Sequence, residues 1–191
     1  VPDRDNRQWY RGARASSGRV LGVAAVGTVC AGLAGAAVGW SPAWPAWFAL
    51  AVVLTPLAVI DAEHHRLPDR LLGSGYLAGA GLLAGAALAE HDAGRLVRTA
   101  TCAAVAYAAF LVMHLVSARS LGHGDVNLAG LLGGYLGWLG VGQAVIGLYA
   151  GFVIGALAAG ALLVARRAHW RSEFAFGPAL MLGALLVAAF G

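Results

Sequence analysis

Two acidic residues stand at the ends of long apolar segments. Asp61 directly follows the run FALAVVLTPLAVI, and Asp125 precedes VNLAGLLGGYLGW. A carboxylate inside a membrane helix costs about 2.5 to 3.5 kcal/mol on insertion scales and usually has a function. If the two helix ends meet, the carboxylates face each other in a partly dry site and share one proton. Such a pair can activate water for peptide hydrolysis, with one group acting as acid and the other as base.

Each of these acidic residues also has a purely structural interpretation. Asp125 follows a glycine at a helix start, where it could cap the helix by accepting backbone N–H groups. Asp61 could be a solvated residue just beyond a helix end. Asp69 follows Pro68 and is placed to cap the next helix. Glu63 belongs to a charged turn, in which most side chains are simply solvated.

The composition is that of a membrane protein. The chain has 191 residues, of which 60% are hydrophobic and 12% charged, and its mean hydropathy is +0.74. A soluble domain does not reach these values. We predict an all-α, polytopic transmembrane helical bundle of six or seven spans, the fifth unusually short, with apolar runs over residues 20–40, 44–61, 71–89, 99–118, 126–139, 142–165 and 174–190. Cys30 and Cys102 lie singly in apolar runs, so no disulfide framework, metal site or cofactor is expected.

The charges orient this bundle. All thirteen basic residues are arginines, and alternating spans place eleven of them on the side of the N-terminus, leaving Arg95 and Arg98 on the other. The positive-inside rule therefore predicts a cytoplasmic N-terminus. Topology accounts for the basic charge without a nucleic-acid partner. We predict a cytoplasmic tail over residues 1–19, without a removable signal peptide, and one membrane-embedded domain over 20–191. The stretches DAEHHRLPDR and ARSLGHGD then share the cytoplasmic face.

Aromatic residues cluster between the first two apolar runs, in the sequence WSPAWPAWF. Trp40, Trp44, Trp47 and Phe48 belong to this cluster, and Trp170 lies in a later loop. Tryptophan is typical of membrane–water interfaces. We predict that these residues anchor the protein in membrane lipid rather than bind a ligand.

Three stretches, in order, resemble the type IV prepilin peptidases, which are membrane aspartyl proteases of the GxGD class. In chain order they are IDAEHHRLPDRL, GHGDVNLAGLLGGYLGW and FAFGPALMLGALL. The resemblance runs from about residue 50 to the C-terminus. It implies that Asp61 and Asp125 are the catalytic pair. Gly122 and Gly124 would let the backbone beside Asp125 bend into the site, where a side chain would block the substrate. The implied substrates are prepilins or pseudopilins, cleaved at the bacterial cytoplasmic membrane.

The chain departs from the family pattern near Asp125. The family often has lysine where this chain has His123 and Asn127, so the charge beside the aspartate pair is weaker here and partly pH-dependent. Many members also carry two Cys-x-x-Cys pairs and methylate the new N-terminus. This chain has only two cysteines, so we expect peptidase activity without methyl transfer, which resembles the compact members that serve tight-adherence or simple competence pili. Glu63 and Asp69 are placed to attract the basic leader of a prepilin.

Other enzyme classes and one non-enzyme class also fit parts of the sequence. A rhomboid-like serine protease could use Ser74 and His114, although Ser74 lies one turn into its helix. A metalloprotease lacks the His-Glu-x-x-His spacing. A small proton- or cation-coupled membrane transporter could use the intramembrane acids as a relay. The Gly-x-Gly before Asp125 favours a peptidase, because a relay has no need of it.

Overall fold

The fold was analysed in a computed structural model, which describes residues 17–64, 67–116, 122–164 and 176–191. In these ranges it contains seven α-helices and no strand, in agreement with the predicted all-α class. The helices are α1 (Ser17–Val38), α2 (Trp44–His64), α3 (Asp69–Ala89), α4 (Ala93–Val116), α5 (His123–Leu139), α6 (Val141–Val164) and α7 (Gly177–Phe190). Most of the predicted tail, His65, Arg66, Arg119 and Trp170 lie outside the described residues.

Four of the helices are long and apolar enough to cross a membrane. They are the segments Trp44–Ala62, Asp69–Ala89, Ala93–Val116 and Val141–Ala161. Gly27–Ala36 and Gly177–Phe190 are shorter apolar helices. The chain is therefore a helical membrane protein with several candidate spans.

Helix α5 is the centre of the bundle. Thirteen of its seventeen residues are buried, and it packs against α3, α4, α6 and α7. Glycines on α5 make this packing close: a side chain at Gly133 or Gly137 would collide with Ala106 or Cys102 of α4. Small residues allow such approaches in membrane bundles. The unusually short helix α5 is therefore surrounded by other helices of the protein.

Helix α4 starts six residues earlier than its apolar run suggested, so Arg95 and Arg98 lie inside it. The guanidinium group of Arg98 donates to the carbonyl oxygens of Gly137 and Trp138, both at 2.8 Å. Arg95 pairs with Glu90 and lies over the ring of Trp138. The last carbonyls of a helix lack partners within it and favour a cation. These two arginines therefore hold the C-terminal end of α5.

The aromatic cluster divides into two environments. Trp40, Trp44 and Phe48 are exposed and stack in sequence, as expected of interfacial residues. Trp47, in contrast, is buried in the core and meets Tyr135 of α5 edge-on, at 5.6 Å between ring centroids. Its prediction as an interfacial anchor is wrong, because this side of α2 faces the centre of the bundle.

Candidate active site

Asp61 lies inside helix α2 rather than beyond its end. The helix continues to His64, and the side chain of Asp61 is only 4% exposed. Its Oδ2 atom accepts a hydrogen bond of 3.1 Å from the backbone N–H of Gly177, the first residue of α7. The first N–H groups of a helix have no partner within it and favour an anion. The start of α7 therefore orients this carboxylate.

Asp125 is the third residue of α5 and is 8% exposed. Its Oδ2 atom accepts a hydrogen bond of 3.2 Å from the backbone N–H of Gly122, which caps the helix. Asp125 therefore makes the capping contact that its structural interpretation predicts. Its side chain, in the first turn of the helix, accepts the N–H group of the residue that precedes the helix. Asp61 and Asp125 are the two buried charged residues among those described, and they are close enough to interact electrostatically.

Leu67 joins the two carboxylate-bearing regions. A Cβ atom added at Gly124 would lie 2.7 Å from the Cβ of Leu67, and one added at Gly177 would lie 3.5 Å from its Cδ1. Leu67 therefore lies close to the starts of both α5 and α7. Gly124 is required here for close packing. Gly122 has an ordinary extended backbone, with φ −70° and ψ 149°, and Gly124 lies within helix α5. Neither conformation requires the special bend that the sequence suggested for these glycines.

Asp69 and Asn127 connect the starts of α3 and α5. Asn127 Nδ2 donates to Asp69 Oδ1 at 3.1 Å, and the hydroxyl group of Tyr76 donates to the carbonyl oxygen of Asn127 at 2.8 Å. Pro68 occupies the cap position of α3, so Asp69 is the first residue of the helix instead of its cap. Its carboxylate is exposed and lies near the first turn of α5.

The remaining candidates lie at the edge of this region. His123 is exposed at the start of α5, and its ring meets that of His114 edge-on at 5.9 Å between centroids. Glu63 lies in the last turn of α2, but its side chain is outside the described part of the chain. The structure thus brings the ends of α2, α3, α5 and α7 together around Asp61 and Asp125.

Comparison with known proteins gives one decisive match. The family model described as the type IV leader peptidase family matches residues 48–190. The chain belongs to the type IV leader peptidase family. The searches of curated proteins and of solved structures gave no match.

A type IV leader peptidase is an aspartic-type prepilin peptidase, so the predicted family and enzyme class are confirmed. Because the family consists of aspartic-type peptidases, its match excludes the alternative predictions of a serine protease and of a transporter. Ser74, the nucleophile of the serine protease alternative, donates its hydroxyl hydrogen to the carbonyl oxygen of Leu71 in its own helix, at 2.7 Å. This bond is the usual one for a serine in a helix.

Two further contacts at this candidate site could not be predicted from the sequence. The hydrogen bond from Gly177 to Asp61 joins residues 116 positions apart, and Leu67, which belongs to the stretch DAEHHRLPDR, packs close to Gly124 and Gly177. The Phe-Gly-Pro segment was the available signal for the first contact, because it marks a helix start. A single leucine in a charged turn gave no signal for the second.

Proposed function

We propose that Asp61 and Asp125 form the catalytic dyad of a prepilin leader peptidase. The enzyme removes a short basic leader from type IV or tight-adherence type prepilin-like proteins at the cytoplasmic face of the bacterial inner membrane. The observation that carries the proposal is the pairing of two buried carboxylates, each held by the backbone N–H group of a helix start. These bonds support a fixed orientation of both carboxylates.

The pair can hydrolyse a peptide bond in the manner of general acid–base catalysis. The ionised carboxylate takes a proton from water as the water oxygen attacks the scissile carbonyl carbon. The protonated partner donates its proton to the carbonyl oxygen, which gives a tetrahedral diol. When the C–N bond breaks, the amine nitrogen takes the proton that came from water, and a hydroxyl group of the diol returns its proton to the partner, so the pair ends with one proton as it began. Two like charges so close in a partly dry site favour the singly protonated state that this cycle needs.

The remaining site residues either attract the substrate or position Asp125. Asp69 is the first residue of α3 and Glu63 belongs to the last turn of α2, so both lie at the proposed cytoplasmic rim, where acidic groups attract a basic leader. Gly124 lets Leu67 approach the first turn of α5. We propose that Gly122, His123 and Gly124 support the orientation of Asp125 from the side of the chain that precedes it.

Substitution of either aspartate by asparagine tests the dyad. Asp61→Asn and Asp125→Asn each retain the shape of the side chain but remove the group that exchanges protons. We expect each to abolish cleavage of a purified prepilin in detergent, with a melting temperature close to that of the wild type. Appreciable turnover by either variant would exclude the dyad. The mass of the wild-type product also tests the expected absence of methyl transfer when a methyl donor is added.

A further inference from the structure

The hydroxyl group of Tyr76 on α3 is bonded to the main chain of α5. It donates to the carbonyl oxygen of Asn127 at 2.8 Å, in a partly buried position. A side chain at Gly130, three residues further along α5, would collide with this hydroxyl group. Gly130 therefore leaves the space in which a side chain of α3 reaches the main chain of α5.

A second bond joins Asn127 to the start of α3. Asn127 Nδ2 donates to Asp69 Oδ1 at 3.1 Å, and this bond is exposed. Asp69 and Tyr76 are seven residues apart, so they share a face of α3 and lie about 10 Å apart along its axis. Two separate points on α3 thus hold one residue of α5. The bond from Tyr76 is the stronger of the two, because it is less exposed to water.

The two carboxylates of the proposed dyad are held in different ways. Asp61 accepts a hydrogen bond from Gly177, which belongs to another helix, α7. Asp125 accepts its bond from Gly122, at the start of its own helix. The bond from Gly122 orients the side chain of Asp125 within α5, but it does not fix α5 relative to Asp61. The distance between the carboxylates therefore depends on the contacts that hold the start of α5 against neighbouring helices.

We infer that Tyr76 is a positioning residue for the proposed dyad, through its bond to the main chain of α5 two residues after Asp125. The inference rests on the proposed function. Asn127 lies about 200° around the helix from Asp125, so α3 holds α5 on the side opposite the carboxylate. A carboxylate about 5 Å from the helix axis moves by about 1 Å when the helix rotates by about 10°. Such a displacement can cost about a hundredfold in rate, so even a small rotation of α5 matters for catalysis.

Removal of a single hydroxyl group tests this inference. Tyr76→Phe keeps the aromatic ring and its packing but loses the bond to Asn127. The matched control is Tyr107→Phe on α4. Tyr76 and Tyr107 both lie against Gly130, and the control leaves the bond between α3 and α5 intact. Each variant is assayed for steady-state cleavage of a detergent-solubilised prepilin and for thermal unfolding.

We expect Tyr76→Phe to lower kcat roughly fivefold, which is the equilibrium bias that one neutral hydrogen bond supplies. KM for the prepilin should stay within about twofold, because the bond fixes the dyad rather than the substrate. Asn127→Ala should lower kcat only about twofold, since it removes the exposed bond and keeps the carbonyl oxygen that Tyr76 uses. Tyr107→Phe should change neither value. Wild-type kcat in Tyr76→Phe, an equal loss in Tyr107→Phe, or a raised KM with unchanged kcat would overturn the assignment.

Hydrogen exchange of backbone amides gives a measurement that does not depend on turnover. In Tyr76→Phe, the amides in the first two turns of α5 should exchange roughly fivefold faster, because the helix start opens more often without the bond. Tyr107→Phe should match the wild type. Unchanged exchange in Tyr76→Phe would overturn the inference even if kcat falls. Failure of the wild type to cleave a prepilin, together with faster exchange in Tyr76→Phe, would instead refute the proposed function, while the hold of Tyr76 on α5 would stand.

Discussion

Replacing Gly177 by alanine would place a methyl group against the carboxylate of Asp61. The added Cβ atom would lie 2.6 Å from Asp61 Oδ2 and 3.3 Å from its Cγ. Carbon–oxygen contacts are comfortable from about 3.3 Å, so the carboxylate must move by roughly 0.7 Å. The residue would still offer its N–H group, and its place at a helix start suits alanine. The change therefore displaces the carboxylate while leaving the local fold intact.

The expected loss follows from this displacement. A misplacement of about 1 Å at a reacting group can cost a hundredfold in rate. We therefore expect Gly177→Ala to lower kcat roughly thirtyfold, equivalent to about 2 kcal/mol in the activation free energy. KM for the prepilin should change little, because the acidic residues proposed to attract the leader, Glu63 and Asp69, are not touched.

The assay is steady-state cleavage of a detergent-solubilised prepilin, together with thermal unfolding of each variant. Gly73→Ala is the control, because Gly73 also lies in a helix but a Cβ atom there meets open space. It should keep wild-type kcat and gain up to about 1 kcal/mol in stability, as glycine-to-alanine changes in helices do. Wild-type kcat in Gly177→Ala would refute the idea that the start of α7 orients Asp61. A lowered melting temperature with unchanged kcat would give the contact a purely structural role.

Three further tests, which use four variants and one fusion, address other parts of the structure. Arg98→Ala should lower the free energy of unfolding by roughly 3 kcal/mol, because two charged hydrogen bonds to buried carbonyls are lost. Arg95→Ala removes a partly exposed ion pair with Glu90 and should lower the free energy of unfolding by under about 1 kcal/mol. Equal losses for the two variants in denaturant titrations would contradict this view. Asp69→Asn and Glu63→Gln should each raise KM up to about fivefold and flatten its salt dependence with kcat unchanged, whereas an unaltered salt dependence would assign both acids to solubility. A reporter fused after Gly191 should be extracytoplasmic, and a cytoplasmic signal would show that α5 does not cross the membrane.

The positions of the helices were largely predictable from apolar runs, and their ends were not. The runs located all seven helices of the described chain, because hydropathy is a property of consecutive residues. Helix α2 nevertheless extends past Asp61 to His64, and α4 takes in Arg95 and Arg98. In both cases a charged residue stays helical because a distant helix supplies its partner. Hydropathy within a segment contains no information about that partner.

The candidate dyad could be proposed from its sequence, but its supports could not. A carboxylate directly beside a long apolar run is rare in a membrane protein, so the sequence alone indicates Asp61 and Asp125. The N–H group of Gly177 is a backbone feature that every residue but proline shares, so only the three-dimensional arrangement distinguishes it. Trp47 shows the same limit, since its burial depends on which side of α2 faces α5 and not on the residue type.

The central position of α5 has a consequence for how the protein enters the membrane. With seventeen residues and Asp125 in its first turn, α5 is shorter than the four helices that are long and apolar enough to cross a membrane. Its C-terminal carbonyls are bonded to Arg98 on α4, and glycines along it fit against that same helix. Since α4 is synthesised first, it can receive α5 as the latter leaves the ribosome. The two helices should therefore insert as one hairpin, and the order of translation becomes part of the folding route.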